Sequence, residues 1–213
     1  MTTRRDFIKT SGFLVVGFSV AGVATEIPLA AQGAGPYPDV DFRKLDSWIV
    51  IRQDNTATFF VGKTDLGQGT GTAFRQIMSD ELDMPYDKTS CVMGTTDVTV
   101  DQGGSGGSDA LQTDGYPMRR VAAEARRVLL DMASARLGVP VTQLVVSEGV
   151  VSVAQDPSKK VTYGELIGGK RFNVTLTGNN INETTGAAKL KDVRQFKIVG
   201  TSPQRYDIPA KVD

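Results

Sequence analysis

Between Ala57 and Leu82 the apolar period of the sequence changes from that of a strand to that of a helix, and this change constrains the fold more than any other stretch. Ala57-Thr58-Phe59-Phe60-Val61 is rich in β-branched and aromatic residues and reads as a strand. It runs directly into Gly62-Lys63-Thr64-Asp65-Leu66-Gly67-Gln68-Gly69. Ala73, Phe74, Ile77, Met78 and Leu82 then fall at helical spacing until Met84-Pro85 stops the run. The segment is predicted to be strand, glycine loop, helix. Upstream, Trp48-Ile49-Val50-Ile51 is separated from the strand by the turn residues Gln53-Asp54-Asn55, which predicts a hairpin.

The same order recurs downstream. Cys91 to Met93 reads as a strand, followed by the loop Gly94-Thr95-Thr96-Asp97, the glycine-rich turn Asp101 to Ser108 and a long helix. Met118, Val121, Ala122, Ala125, Val128, Leu129, Met132 and Leu137 form that helix's apolar stripe, and Gly138-Val139-Pro140 ends it. Its apolar face is expected to need further chain to cover it. Leu144-Val145-Val146 and Val150 to Val153, joined by Ser147-Glu148-Gly149, read as a second hairpin, and a short helix is expected over Gly164 to Ile167. Beyond Gly178-Asn179-Asn180 the chain is polar with little periodicity. The expected class is α+β, with mixed short-strand sheets packed by two main helices. Residues 1–35 are read as leader and linker, 36–169 as the folded domain, and 170–213 as an extended segment leading to a following domain.

The leader carries its own signal. Thr3-Arg4-Arg5-Asp6-Phe7-Ile8-Lys9 precedes the apolar stretch Phe13 to Ala24, which contains Gly17 and Gly22. The pattern resembles a twin-arginine export signal, and the stretch falls short of the roughly 20 residues a stable membrane span needs. Export to the periplasm in a folded state is the expectation, with an uncleaved membrane-associated leader as the alternative. Past it about 175 residues remain, enough for one substantial core or two small ones.

Composition excludes several functions. Lys and Arg number 24 against 24 Asp and Glu, with no long run of one sign, so the footprint of a nucleic-acid binder is missing. With no histidine and Cys91 alone, the chain holds no disulfide framework, no four-cysteine iron–sulfur site and no Ser-His-Asp triad. Cys91, in its strand, reads as a buried, inert thiol. Glu81 and Glu124 read as solvated or paired surface carboxylates on the two helices, and no residue is assigned a catalytic or metal-ligating role.

What chemistry remains lies in the two glycine loops that precede helices. Helix N-termini present unpaired N–H groups, and glycine lets a phosphate approach the backbone closely. Gln68 adds an amide able to donate and accept. The glycines at 67, 69 and 71 do not match the dinucleotide fingerprint, which would place its third glycine where Thr72 stands. On these residues alone the loops are plain turns or an exported phosphate- or nucleotide-binding module without catalysis.

Several stretches carry a family resemblance: Val61 to Thr70, Ser79-Asp80-Glu81-Leu82, Gly94 to Asp97, Gly106-Gly107-Ser108, the Arg/Ala-rich helix and the closing Val199 to Val212. In that order they resemble the N-terminal part of the molybdopterin-binding subunit of the xanthine dehydrogenase and aldehyde oxidase family, in the branch that holds the isoquinoline 1-oxidoreductase β-subunits. The resemblance implies part of a larger molybdopterin-binding domain and a molybdenum cofactor, in bacteria usually the cytosine dinucleotide form. It also implies hydroxylation of aldehydes or N-heterocycles with oxygen from water. By resemblance Gly67, Gln68, Gly69, Gly106, Gly107 and Ser108 bind the cofactor. The partners implied are the remainder of the large subunit, a 2Fe-2S small subunit and a cytochrome c acceptor. The family's catalytic glutamate lies in a glycine-rich motif that this chain lacks, so the chain alone is not expected to turn over substrate.

Overall fold

The computed structural model describes residues 40–208; the twin-arginine leader read from residues 1–35 lies outside the described residues. Strands β1 (Ile49–Ile51), β2 (Ala57–Val61) and β3 (Thr89–Met93) form one sheet, and β4 (Leu144–Ser147), β5 (Val150–Val153) and β6 (Asp156–Thr162) form a second. Among the described residues three α-helices accompany them: α1 (Thr70–Leu82), α2 (Asp109–Leu137) and the short α3 (Tyr163–Ile167). This is the expected α+β arrangement of short-strand sheets with two main helices.

In the first sheet β2 is central, antiparallel to β1 and parallel to β3, with Phe59 opposite both Ile49 and Cys91. A parallel pair needs a crossover, and α1 supplies it between β2 and β3. All five residues of β2 are buried, which is why the run is apolar without alternation. The second sheet is an antiparallel meander, and its first turn has Glu148 and Gly149 at φ 54° and 71°, the left-handed pair a two-residue hairpin requires. Helix α2 packs against α1 and touches β1, β5, β6 and α3, so one helix serves both sheets. Its stripe residues Met118, Val121, Ala122, Ala125 and Leu129 are fully buried by this chain's own elements, contrary to the expectation that further chain would be needed. Each such side chain larger than alanine contributes roughly 1.5–3 kcal/mol through burial.

Residues 170–208 contain single-turn helices and isolated bridges, and they run over this body, tied to it by a bridge from Thr175 to Lys44 and by carboxylates. The Asp46 carboxylate accepts from the backbone N–H groups of Phe172 (2.6 Å) and Asn173 (3.0 Å). Glu124 accepts from Ala188 N at 2.9 Å, and Glu81 from Lys191 N at 3.2 Å. Asp80 accepts from three successive amides, Lys197 (2.8 Å), Ile198 (3.0 Å) and Val199 (2.7 Å). Glu81 and Glu124 are therefore paired, as the sequence suggested, but they are buried at 0% and 2% exposure rather than on the surface. Arg119 donates to Glu81 from Nε at 2.8 Å, and Arg127 donates to Glu124. Burial pushes the Glu124 carboxyl up, yet Arg127 and the Ala188 amide more than offset this and hold it below its usual range. Among the described residues no helix is long and apolar enough to cross a membrane.

Candidate functional site

The first glycine loop folds around its own acid. Asp65 Oδ1 accepts from the N–H groups of Gly67 (2.9 Å) and Gly69 (3.0 Å), and Oδ2 from Gly71 N (3.1 Å). Gly67 and Gly69 stand at φ 106° and 83°, a backbone that other residues adopt only with strain. Partial burial raises the Asp65 carboxyl, but the three amides and the Arg205 guanidinium outweigh it and hold the group below the ordinary range. These N–H groups are thus already satisfied, so this loop does not offer them to a phosphate. It does present Gln68, exposed to solvent, whose Oε1 accepts from Leu66 N at 2.6 Å.

The second loop is the reverse case. Gly103, Gly107 and Ser108 have φ of 76°, 62° and 60°, and Ser108 caps α2 without a side-chain hydrogen bond. The consecutive N–H groups of Gly106, Gly107 and Ser108 donate to no acceptor among the described residues. A Cβ added at Gly106 or Gly107 would meet nothing within 4 Å. This row of open amides lies at the positive end of a 29-residue helix, where backbone and dipole both favour an anion.

A buried polar network stitches the two loops together. Lys63, 3% exposed, donates from Nζ to Gly104 O at 2.8 Å and lies 3.2 Å from Asp114 Oδ2. Gln102 accepts from Gly62 N at 2.7 Å and donates to Asp114 at 3.3 Å, while Ser105 Oγ accepts from Thr64 N at 2.7 Å. Burial, helped by neighbouring Asp109, raises the Asp114 carboxyl above its usual range against the pull of Lys63 and Gln102. At Gly62 there is no room for a side chain, since an added Cβ would sit 1.8 Å from Val100 O. In the first turn of α1 the buried hydroxyls of Thr70 and Thr72 have no hydrogen-bond partner among the described residues.

The six residues singled out in the sequence therefore lie on two loops that the structure joins side by side. Sequence reasoning passed over Asp65, Lys63, Gln102 and Arg205, which shape them. Asp65 left a signal, because it precedes glycines at alternate positions 67, 69 and 71, the spacing at which a carboxylate can collect their amides. The others reach the first loop or the second across long stretches, 40 residues from Gln102 to Gly62, 41 from Lys63 to Gly104 and 138 from Arg205 to Gly67, and leave no local pattern. Cys91, whose thiol burial pushes up to about 12, lies in β3 as an inert side chain.

The geometry suits a ligand that presents anionic groups to the second loop and a hydrogen-bonding edge to Gln68. Comparison with known proteins names such a ligand. The sequence profile of the molybdopterin cofactor-binding domain family matches residues 9–199. A nicotinate dehydrogenase subunit from Pseudomonas putida is 34% identical over 184 residues, covering 86% of this chain and 15% of its own length. The β-subunit of isoquinoline 1-oxidoreductase from Brevundimonas diminuta is 24% identical over 242 residues, covering 99% of this chain and 30% of its own. The chain thus spans less than a third of the length of these relatives. Among solved structures, reconstituted CO dehydrogenase from Oligotropha carboxidovorans matches with a TM-score of 0.50 and 27% identity over 56% of this chain and 15% of that one. The motifs, the fold and these matches agree: the chain belongs to the molybdopterin cofactor-binding domain family, of the xanthine dehydrogenase and aldehyde oxidase type.

Proposed function

We propose that this chain supplies the N-terminal part of the molybdopterin-binding subunit of a periplasmic molybdenum hydroxylase that oxidises aldehydes or N-heterocycles with oxygen from water. The observation that carries this reading is the row of unpartnered amides at Gly106, Gly107 and Ser108, tied through Lys63 and Ser105 to the loop presenting Gln68. The donor set fits the cofactor: open amides for phosphate or pterin oxygens, a side-chain amide for a heterocycle edge and glycines that leave room for approach. Gly106, Gly107 and Ser108 would hold the pterin or phosphate groups. Gln68 would hydrogen-bond the pterin–dithiolene region, with Gly67 keeping the approach open on one side and Gly69 leaving room for the Arg205 guanidinium on the other. The cofactor, in its cytosine dinucleotide form, would supply oxidation–reduction and activation of water at molybdenum.

The proton-accepting base is assigned to sequence outside this chain. Among the described residues its buried acids are committed elsewhere, Asp46 to the amides of Phe172 and Asn173, Asp80, Glu81 and Glu124 to the 187–199 segment, and Asp114 to Lys63, while the half-buried Asp65 holds the loop amides. The relatives' printed names point to nicotinate and isoquinoline as substrate types, and a third, a membrane-bound aldehyde dehydrogenase of Gluconacetobacter polyoxogenes, is 24% identical over 99% of this chain. The proposed partners are the remainder of the large subunit, a 2Fe-2S small subunit and a cytochrome c acceptor. Residues 4–9 support export by the twin-arginine route, which carries folded, cofactor-loaded proteins.

Metal analysis of the complex recovered from periplasm or membrane through a tag after Asp213 tests the reading. Near-stoichiometric molybdenum together with a second large chain is expected. A folded chain recovered alone, binding nucleotide and free of molybdenum, would replace the hydroxylase with a non-catalytic binding module.

A further inference from the structure

Gly71 is a glycine in the first turn of α1, where alanine is the better helix former. A Cβ there would lie 2.5 Å from Tyr206 Cε1 and 2.6 Å from Met93 Sδ. The glycine makes the seat in which the Tyr206 ring rests. Next to it, Arg205 donates from Nη1 to the Gly67 carbonyl at 2.8 Å, while its Nε and Nη2 clasp the Asp207 carboxylate at 3.0 and 2.7 Å. The guanidinium carbon stands 3.5 Å from the position of a Cβ at Gly69. The 66–70 loop is thus held from both of its polar sides, by Asp65 through N–H groups and by Arg205 through a carbonyl.

We propose that Arg205 is a positioning residue for the cofactor cradle, clamping the first glycine loop so that Gln68 is held ready. The Gly67 carbonyl shares a rigid peptide plane with the Gln68 nitrogen, so fixing it fixes where the Gln68 side chain begins. The Arg205–Asp207 clasp is bidentate, which orients the remaining donor toward Gly67 before any ligand arrives. The clamp stands on its own geometry, and its link to the cofactor rests on the function proposed above.

Amide hydrogen exchange of the full 213-residue chain, read by mass spectrometry, tests the clamp. In Arg205→Met, exchange across residues 66–71 is expected to quicken about fivefold, with the β4–β6 meander unchanged. Arg205→Lys keeps a donor for the carbonyl and is expected to restore most of the protection. Gly71→Ala, which unseats Tyr206, should loosen the same residues. If Arg205→Met does not fold, Asp207→Asn weakens the clasp while leaving the guanidinium in place, and a smaller rise confined to residues 66–71 is expected. Unchanged exchange at 66–71 in these variants overturns the proposal. Molybdenum in the assembled complex is then measured for the same variants and should fall with Arg205→Met and recover with Arg205→Lys. A loosened loop with wild-type molybdenum also overturns it. Absence of molybdenum from the wild-type complex would instead count against the hydroxylase reading, leaving the clamp to be decided by exchange alone.

Discussion

Lys63 Nζ and Asp114 Oδ2 stand 3.2 Å apart with their side chains 3% and 1% exposed, and this pair joins the two loops of the cradle from beneath. Lys63 reaches it from the end of β2 and Asp114 from the second turn of α2. A pair so placed resists the loss of either member, because the survivor is left charged and dry.

Lys63→Met is accordingly expected to lower stability by about 3–5 kcal/mol, while the double variant Lys63→Met/Asp114→Asn loses less than the sum of its parts. Urea denaturation followed by far-ultraviolet circular dichroism measures both. Equal and additive losses would mean that the pair is uncoupled.

Asp65 predicts a pH response whose sign is fixed by its lowered folded-state pKa. A depressed carboxyl contributes stability that is complete above its unfolded value of about 3.9 and is lost as pH falls through the folded value. The amides of Gly67, Gly69 and Gly71 should therefore keep constant protection from neutral pH to about 5 and lose it only below about 4. In Asp65→Asn protection should be lower and insensitive to pH over that range, which nuclear magnetic resonance of the glycine amides can follow.

Gly106→Leu separates fold from function. Gly106 has no left-handed φ and an added Cβ meets nothing within 4 Å, so the thermal midpoint is expected to move by less than about 2 °C. The new side chain would fill the cradle, and molybdenum content of the complex should fall severalfold. Gln68→Ala, at an exposed position, should likewise leave stability unchanged and reduce molybdenum or turnover.

The 187–199 segment is expected to come free when its anchor is removed. Glu81→Ala takes the carboxylate from Arg119, which keeps its bond to the Lys191 carbonyl, and from the Lys191 amide, at a cost of about 3 kcal/mol. Limited proteolysis should then cut first within residues 187–199, while α1 and the first sheet remain intact. A cleavage pattern like that of the wild type would show that Asp80 and Glu124 suffice as anchors.

What the sequence made legible was whatever a local pattern encodes. Helix α1 was expected over Thr70 to Leu82 and is found there, because Phe74, Met78 and Leu82 face the core at helical spacing and Met84-Pro85 ends the run. Strand β6 escaped notice because it is an edge strand whose Asp156-Pro157-Ser158-Lys159-Lys160 faces solvent, leaving Val161 as its one buried residue. The anchoring of the 170–208 segment was equally hidden. It depends on Asp46 and on carboxylates of α1 and α2 meeting backbone amides more than 60 residues away, and an amide has no side chain to betray it. The glycine loops were visible, but the division between them was not, since Asp65 closes one while nothing among the described residues closes the other.

The hydrogen bond from Arg205 to Gly67 spans 138 positions of the chain. At a synthesis rate of about 5–20 residues per second, the loop waits about 7 to 28 seconds after its own translation before its last partner exists. The first glycine loop is therefore completed late: until Arg205 has been made, Asp65 alone gathers its amides, and its carbonyl side stays without the guanidinium.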